Sequence, residues 1–193
     1  MSDLTWLDRL AEDGYCLQEA FLGQSLAAQA REEAVQIFAA GLGRAAMVGS
    51  AAQAHSEIRR DEICWLDPQQ QPPAMTEFLA RMEALRQDLN RYAYLGLRRM
   101  ECHAAMYRPG GFYKAHKDVF VGKEARVVTF VYFLNPQWCP EHAGELQFIE
   151  PLSLTVAPLM DRLVLFKSRD FLHQVLSTHA DRYTLTGWMH TDE

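Results

Sequence analysis

Residues 126–149 read RVVTFVYFLNPQWCPEHAGELQFI. Two segments rich in β-branched and aromatic residues, 126–134 and 144–149, are parted by Asn135-Pro136 and by His142-Ala143-Gly144, residues that punctuate strands. The same rhythm continues outward. Toward the N-terminus lie strand-like segments at 100–107 and 112–118, separated by Pro109-Gly110-Gly111. Toward the C-terminus lie 152–157, 161–166, 173–177 and 181–189, with Ser168-Arg169-Asp170 among the separators. Eight short strands with little helix between them predict a double-sheet jelly roll, a double-stranded β-helix. A doubly wound or ferredoxin-like fold needs helices between the later strands, and the sequence has none there.

The first half reads differently. Leu4, Leu7 and Leu10 suggest a short amphipathic helix ending near Gly14, then a short strand around Tyr15 to Phe21. Ser25 opens a helix carrying Ala28, Ala34, Val35 and Phe38, closed by Gly41 and Gly43. A third helix runs from about Ala74 to Tyr94, with Phe78, Leu79, Met82, Leu85 and Leu89 at helical spacing and Pro72-Pro73 at its start. Between Leu42 and Asp67 the pattern is irregular. The expected organisation is one domain over 1–193, mainly β with flanking α-helices. Residues 99–190 form the jelly-roll core, and 1–98 form mostly helical support, packed on one sheet, plus a segment that covers the site.

The 193 residues suffice for one large domain, and 49% hydrophobic against 23% charged content can fill a core. Lys plus Arg is 19 and Asp plus Glu is 25, so the net charge is 19 − 25 = −6. An acidic pI near 5.6 disfavours a phosphate-tracking surface, so no nucleic-acid partner is expected. No apolar run approaches the roughly 20 residues of a membrane helix. The stretch Met1 to Leu10 lacks the basic region and apolar core of a signal peptide. Cys16, Cys64, Cys102 and Cys139 are scattered with no C-x-x-C pair, which disfavours a thiolate zinc site or a dithiol redox motif. A cytoplasmic protein is expected.

His116-Lys117-Asp118 carries the chemistry. Residues two apart on a strand share a face, so the imidazole and carboxylate project together. A facial iron site needs one further histidine. His173, 55 residues after Asp118, is the candidate. Such a set leaves three octahedral positions for other ligands. A second H-x-D triplet, His190-Thr191-Asp192, and a looser variant, His55-Ser56-Glu57, read as surface histidines beside acids, the former at a fraying terminus. Nine residues after His173, the alternating run 182–188 puts Arg182, Thr184, Thr186 and Trp188 on one face. An inward guanidinium is costly unless it meets an anion, and its planar fork suits a carboxylate. The plainer alternative is an ion pair with Asp181 or Asp161.

These residues resemble the iron(II)- and 2-oxoglutarate-dependent dioxygenases, in the prolyl-4-hydroxylase branch. The similarity is strongest to the hypoxia-inducible-factor prolyl hydroxylases and their bacterial relatives. Similar stretches include Ile58-Arg59-Arg60-Asp61-Glu62-Ile63-Cys64-Trp65, Val131-Tyr132-Phe133-Leu134-Asn135, Gly144-Glu145-Leu146 and Asp161-Arg162-Leu163. The resemblance implies that His116, Asp118 and His173 hold Fe(II). It implies that Arg182, with Tyr107 and Thr186, binds 2-oxoglutarate, and that Val131, Phe133, Leu146, Val175 and Trp188 form the pocket wall. It places Asp61 and Arg126 on the elements that embrace the substrate. Two residues depart from the pattern. Phe133 stands where the hypoxia-type enzymes carry a tyrosine that helps hold the cosubstrate carboxylate, and His103 stands at an otherwise apolar wall position.

The activity implied is hydroxylation of prolyl residues in an intracellular protein. Dioxygen and 2-oxoglutarate are consumed, succinate and CO2 released, and ascorbate serves as reductant. The alternatives are the same chemistry on a free amino acid, another small molecule or a lysyl side chain, and a non-enzymatic metal-binding jelly-roll sensor. The segment Ser56 to Asp67 is expected to form a mobile flap. In that reading Ile63 and Trp65 pack on the prolyl ring and Asp61 reaches Arg126; the competing expectation is a fixed strand.

Overall fold

The structure, a computed structural model, describes residues 5–46, 57–119 and 125–192. His55 and Ser56 therefore lie outside the described residues. The elements run α1 (Thr5–Glu12), β1 (Tyr15–Gln18), α2 (Gln24–Ala39), β2 (Arg44–Ala45), β3 (Glu62–Trp65), α3 (Pro73–Ala93), β4 (Arg99–Tyr107) and β5 (Tyr113–His116). They continue with β6 (Arg126–Phe133), β7 (Leu146–Glu150), β8 (Leu154–Val156), β9 (Leu163–Lys167), β10 (Leu172–Val175) and β11 (Arg182–His190). Seven strands form one sheet in the order β1-β9-β6-β11-β4-β3-β2, and four form a second, β5-β10-β7-β8. Every named pairing is antiparallel. This is the expected jelly-roll core.

Alternation in β6 shows how the layers separate. Val128, Phe130 and Tyr132 point to the helix side, into a core shared with Phe78, Met82 and Leu89 of α3. Val131 and Phe133 point to the other face, against Phe148, Val164 and Phe166 between the sheets. Helices therefore cover one face of the large sheet and the small sheet covers the other. On α2 the buried stripe is Ala27, Ala30, Ala34 and Phe38; Ala28 is exposed, one position off the expected stripe. α3 begins at Pro73, and its free N–H groups are met from α2. The amides of Ala74 and Met75 donate to the two carboxylate oxygens of Glu33 at 3.0 and 2.8 Å. An acid at a helix N-terminus satisfies orphan donors and the local dipole together.

Residues 62–65 are not part of a flap. They form β3, with Glu62, Ile63, Cys64 and Trp65 opposite Met106, Ala105, Ala104 and His103 of β4. A four-residue strand is too short for its alternation to stand out, yet its ladder to a nine-residue neighbour satisfies its backbone. β2 in turn adds two residues to β3.

Candidate active site

The three candidate metal ligands come from two adjacent strands of the small sheet and the turn that follows one of them. His116, the last residue of β5, lies directly opposite His173 of β10, with ring centroids 4.3 Å apart. Asp118 follows two residues after His116. One ligating atom from each of the three lies within 4.8 Å of the others. His116 Nε2 is 3.5 Å from Asp118 Oδ1, and His173 Nε2 is 3.6 Å from Oδ2. Donors at about 2.1 Å from one octahedral ion stand roughly 3 Å apart, so a small inward movement closes the set on an ion. Orientation is already fixed. Nδ1 of His116 meets the Lys114 carbonyl at 2.8 Å, and Nδ1 of His173 meets that of Phe171 at 3.2 Å. With Nδ1–H donating to a carbonyl, each Nε2 keeps its lone pair for a metal.

Around the ligands the packing is tight. Tyr113 stacks on His116 at 3.6 Å, and Phe166 sits edge-on to His173 at 4.8 Å. Thr129 donates to Asp118 Oδ2 at 2.8 Å and meets Ser168 at the same distance. Burial pushes the His173 imidazole down to about 4, against the pull of Asp118. Burial also opposes charge on Asp118, but His173, His116 and Thr129 outweigh it and hold the carboxyl well below its ordinary range. The set thus offers two imidazole nitrogens and one carboxylate, the ligand chemistry of a non-haem Fe(II) centre.

From the metal end a cavity runs along the inner face of the large sheet to Arg182. Its lining includes Tyr107, Val131, Leu146, Val175, Thr186 and Trp188, as the sequence reading expects. It also includes His103, at the wall position expected for it, and Arg59, Ala105, Tyr113, Thr129 and Thr184, to which no wall position is assigned from the sequence. Phe133 is not part of the lining; it is fully buried beneath Arg182, with the guanidinium carbon 5.3 Å from its ring centroid. Arg182 is 3% exposed. Its Nε donates to the Gly144 carbonyl at 2.7 Å, the Tyr107 ring lies 4.9 Å away, and Nη2 is buried without a partner. The ion-pair alternative fails for Asp161, which accepts from the Leu22 and Gly23 amides and the Tyr132 hydroxyl. Gly144 suits this place because its φ is +77° and an added Cβ would lie 2.9 Å from Thr178 and 3.1 Å from Arg182. A buried guanidinium with a free N–H, aimed into a cavity, is the receptor a terminal carboxylate needs.

The four expected substrate residues lie outside that lining. Asp61 is buried and takes Arg59 Nε at 2.7 Å, so it is already paired from within its own segment. Arg126 bonds Glu101 at 2.9 Å and lies 3.7 Å over the Trp188 ring. No contact joins Asp61 to Arg126 among the described residues. Ile63 and Trp65 sit on β3. Trp65 is 53% exposed and packs edge-on to His103 at 5.0 Å. His190 corrects the expectation of a frayed terminus, since it is buried, ends β11 and lies 3.2 Å from Glu101. A roomier apolar groove between α1, the end of α3 and β6 contains no cluster of metal-ligating groups among the described residues.

The class follows from the fold and the triad and is matched by comparison. The family described as the 2OG-Fe(II) oxygenase superfamily matches residues 102–190. The chain belongs to this superfamily, in its prolyl-hydroxylase branch. It is 30% identical to prolyl hydroxylase EGLN3 of Homo sapiens, over 93% of this chain and 79% of that protein. A prolyl-4-hydroxylase of Pseudomonas putida superposes with a TM-score of 0.89 at 34% identity, covering 98% of both chains. A Trichoplax adhaerens prolyl hydroxylase, solved with a peptide of the hypoxia-inducible factor oxygen degradation domain, gives 0.87 at 25% identity. That match covers 96% of this chain and 87% of the other.

Proposed function

We propose that this protein is an Fe(II)- and 2-oxoglutarate-dependent dioxygenase that hydroxylates a prolyl residue of a cytoplasmic protein. The observation that carries the reading is one cavity with a His-Asp-His triad at one end and a buried guanidinium with a free N–H at the other. His116, Asp118 and His173 would hold the iron. Arg182 would take the distal carboxylate of 2-oxoglutarate, with hydroxyls from the same wall. Iron and cosubstrate, when bound, supply the oxidation: dioxygen is consumed, 2-oxoglutarate becomes succinate and CO2, and a substrate C–H becomes C–OH.

The protein's own task is to orient and enclose. His116 and His173 of the small sheet, with Asp118 just after β5, would hold the ion at the cavity wall. Val131, Leu146, Val175 and Trp188 give that space apolar walls, which keep water from the reacting centre. Exposed Trp65, beside His103 and Trp188, gives a prolyl ring an aromatic surface at the cavity's edge. The similarity to a prolyl hydroxylase solved with a peptide supports a protein over a free amino acid as substrate. Four free cysteines, two of them buried, suit a reducing compartment.

The test is direct. Purified protein with Fe(II), ascorbate and 2-oxoglutarate should form succinate, and a proline-containing substrate should gain one oxygen at proline by mass spectrometry. Metal binding without any 2-oxoglutarate turnover would leave the sensor alternative standing, and oxygen incorporated at lysine would move the assignment to a lysyl hydroxylase.

A further inference from the structure

The groove between α1, α3 and β6 is a cavity of about 490 Å³ whose helices and strands contribute opposite chemistry. Leu7 and Leu10 of α1 and Leu89 and Ala93 of α3 give it aliphatic walls. Arg126, Lys167 and Arg169 also line it, against a single acid, Asp170, among the described residues. These cations gather where two strands end. Arg126 opens β6, Lys167 closes β9 opposite Val128, and Arg169 follows two residues later. The Lys167 ammonium donates to the Ala11 carbonyl at 2.9 Å, which sets it beside the last turn of α1. Arg126 lies over Trp188 and bonds Glu101, at a point where β6 shifts register against β11. In a chain of net charge −6, this excess of cations is a local reversal of sign.

The geometry points to a second ligand site: the groove binds a soluble anionic amphiphile with one alkyl chain, the chemistry of a free fatty acid. The chain lies between α1 and α3, and the carboxylate meets Lys167 and Arg169. This site is separate from the catalytic cavity and does not rest on the proposed function. Size favours a small ligand. Cavities of roughly 300–1,000 Å³ hold small molecules, whereas a stable protein partner needs a contact of about 800 Å² on each side. The lining contains no aromatic side chain among the described residues, so it offers a flexible chain aliphatic contact and offers a flat ring nothing to stack on. The sign of the rim selects an anionic head over a cationic one.

The experiment is calorimetry on the full-length protein with decanoate, kept below its micelle threshold. Decanoate should bind about tenfold more tightly than octanoate, for two more buried methylenes. Decyltrimethylammonium, with the same chain and the opposite charge, should bind at least about tenfold more weakly than decanoate. Lys167→Gln with Arg169→Gln should weaken decanoate about tenfold and narrow its lead over the cationic probe. Ala93→Phe, which fills the groove from the half-buried last residue of α3, should abolish binding. Ala11→Phe, at an exposed position of α1, makes the same test should Ala93→Phe fail to fold. Excess 2-oxoglutarate with Mn(II) should leave decanoate affinity unchanged; displacement would put the probe in the catalytic cavity and overturn the site. Equal affinity for the two head groups would overturn the anionic ligand. Wild-type protein that binds no decanoate would overturn the proposal outright. In that event, a dimer that Ala11→Phe splits in the ultracentrifuge would make the groove an interface between two copies, and capture by phosphatidylglycerol vesicles would make it a membrane-facing surface.

Discussion

At its metal end the cavity is built from two four-residue strands and the turn that follows one of them. At its other end it is built on β11 and β4, nine residues each and paired along their whole length. The short elements carry ligands whose orientation comes from individual hydrogen bonds: a carbonyl for each histidine and a threonine for the aspartate. The long ones carry Arg182 and the threonines, whose positions come from strand register. The same cavity therefore has one end held by local bonds, which single substitutions release, and one held by a ladder, which tolerates much more.

The largest expected effect comes from deleting ligands. His116→Ala, Asp118→Ala or His173→Ala should each abolish succinate formation while leaving circular dichroism unchanged, since all three side chains line the cavity. Unfolding of all three variants would mean that the triad is structural and that the contrast between the ends is misdrawn. Next, Arg182→Ala should raise the 2-oxoglutarate dissociation constant by about a hundredfold, from loss of a charge-assisted contact of a few kcal/mol. Arg182→Lys, with charge but no planar fork, should fall between. Affinity unchanged from wild type in both variants would remove the carboxylate role.

Thr129→Val sharpens the comparison from the other side. It deletes the hydroxyl bond to Asp118 but keeps the shape, so Fe(II) or Mn(II) affinity should fall about tenfold or more, as for other groups that orient metal ligands. Affinity for 2-oxoglutarate at saturating metal should hardly change. Comparable losses of both would show that the two ends are not separately held.

The smallest effect is expected at His103. Its Nδ1 is buried without a partner, and burial, followed by the Arg59 charge, pushes the imidazole down to about 3. An unfolded histidine titrates near 6.5. The unfolded chain then binds a proton that the folded one refuses, so this residue's contribution is full above about pH 6.5 and is lost as pH falls toward 3. Above that window His103→Leu should raise the thermal midpoint by about 2–4 °C by removing the unpaired nitrogen. Below it the variant should lose stability less steeply than wild type. Identical pH slopes for the two proteins would show that His103 finds a partner in the fold.

Legibility in the sequence follows the same division. The eight later strands and the third helix have strong periodicity and marked turns, so residues decide their place almost alone. The triad was readable because His116 and Asp118 are two apart on a strand, and Arg182 because an inward arginine is rare. β3 was not readable, for its four residues are ordered by β4. Thr129 could have been found, since alternation through 126–133 sets it beside Val131 and Phe133. Arg59 could not, because it reaches the cavity through its bridge to Tyr113, a pairing that no local pattern records. Gly144 appeared as a turn residue, but its second task, leaving room for Arg182, exists only in three dimensions.

β11 lies between β4 and β6, and its neighbours cover it on both edges. Amides in such a strand exchange with solvent only when the whole sheet opens, whereas β5, the outer strand of the small sheet, has only the short stretch 58–60 on its far edge and opens at lower free energy. Mild denaturant should therefore act on the molecule in two stages. Metal should escape first, through transient opening at β5, while the amides of 182–188 remain protected. The protein would pass through a folded, metal-depleted form that still binds dicarboxylate weakly and regains activity on return of iron, and enzymatic inactivation would precede any change in tertiary signal from the large sheet.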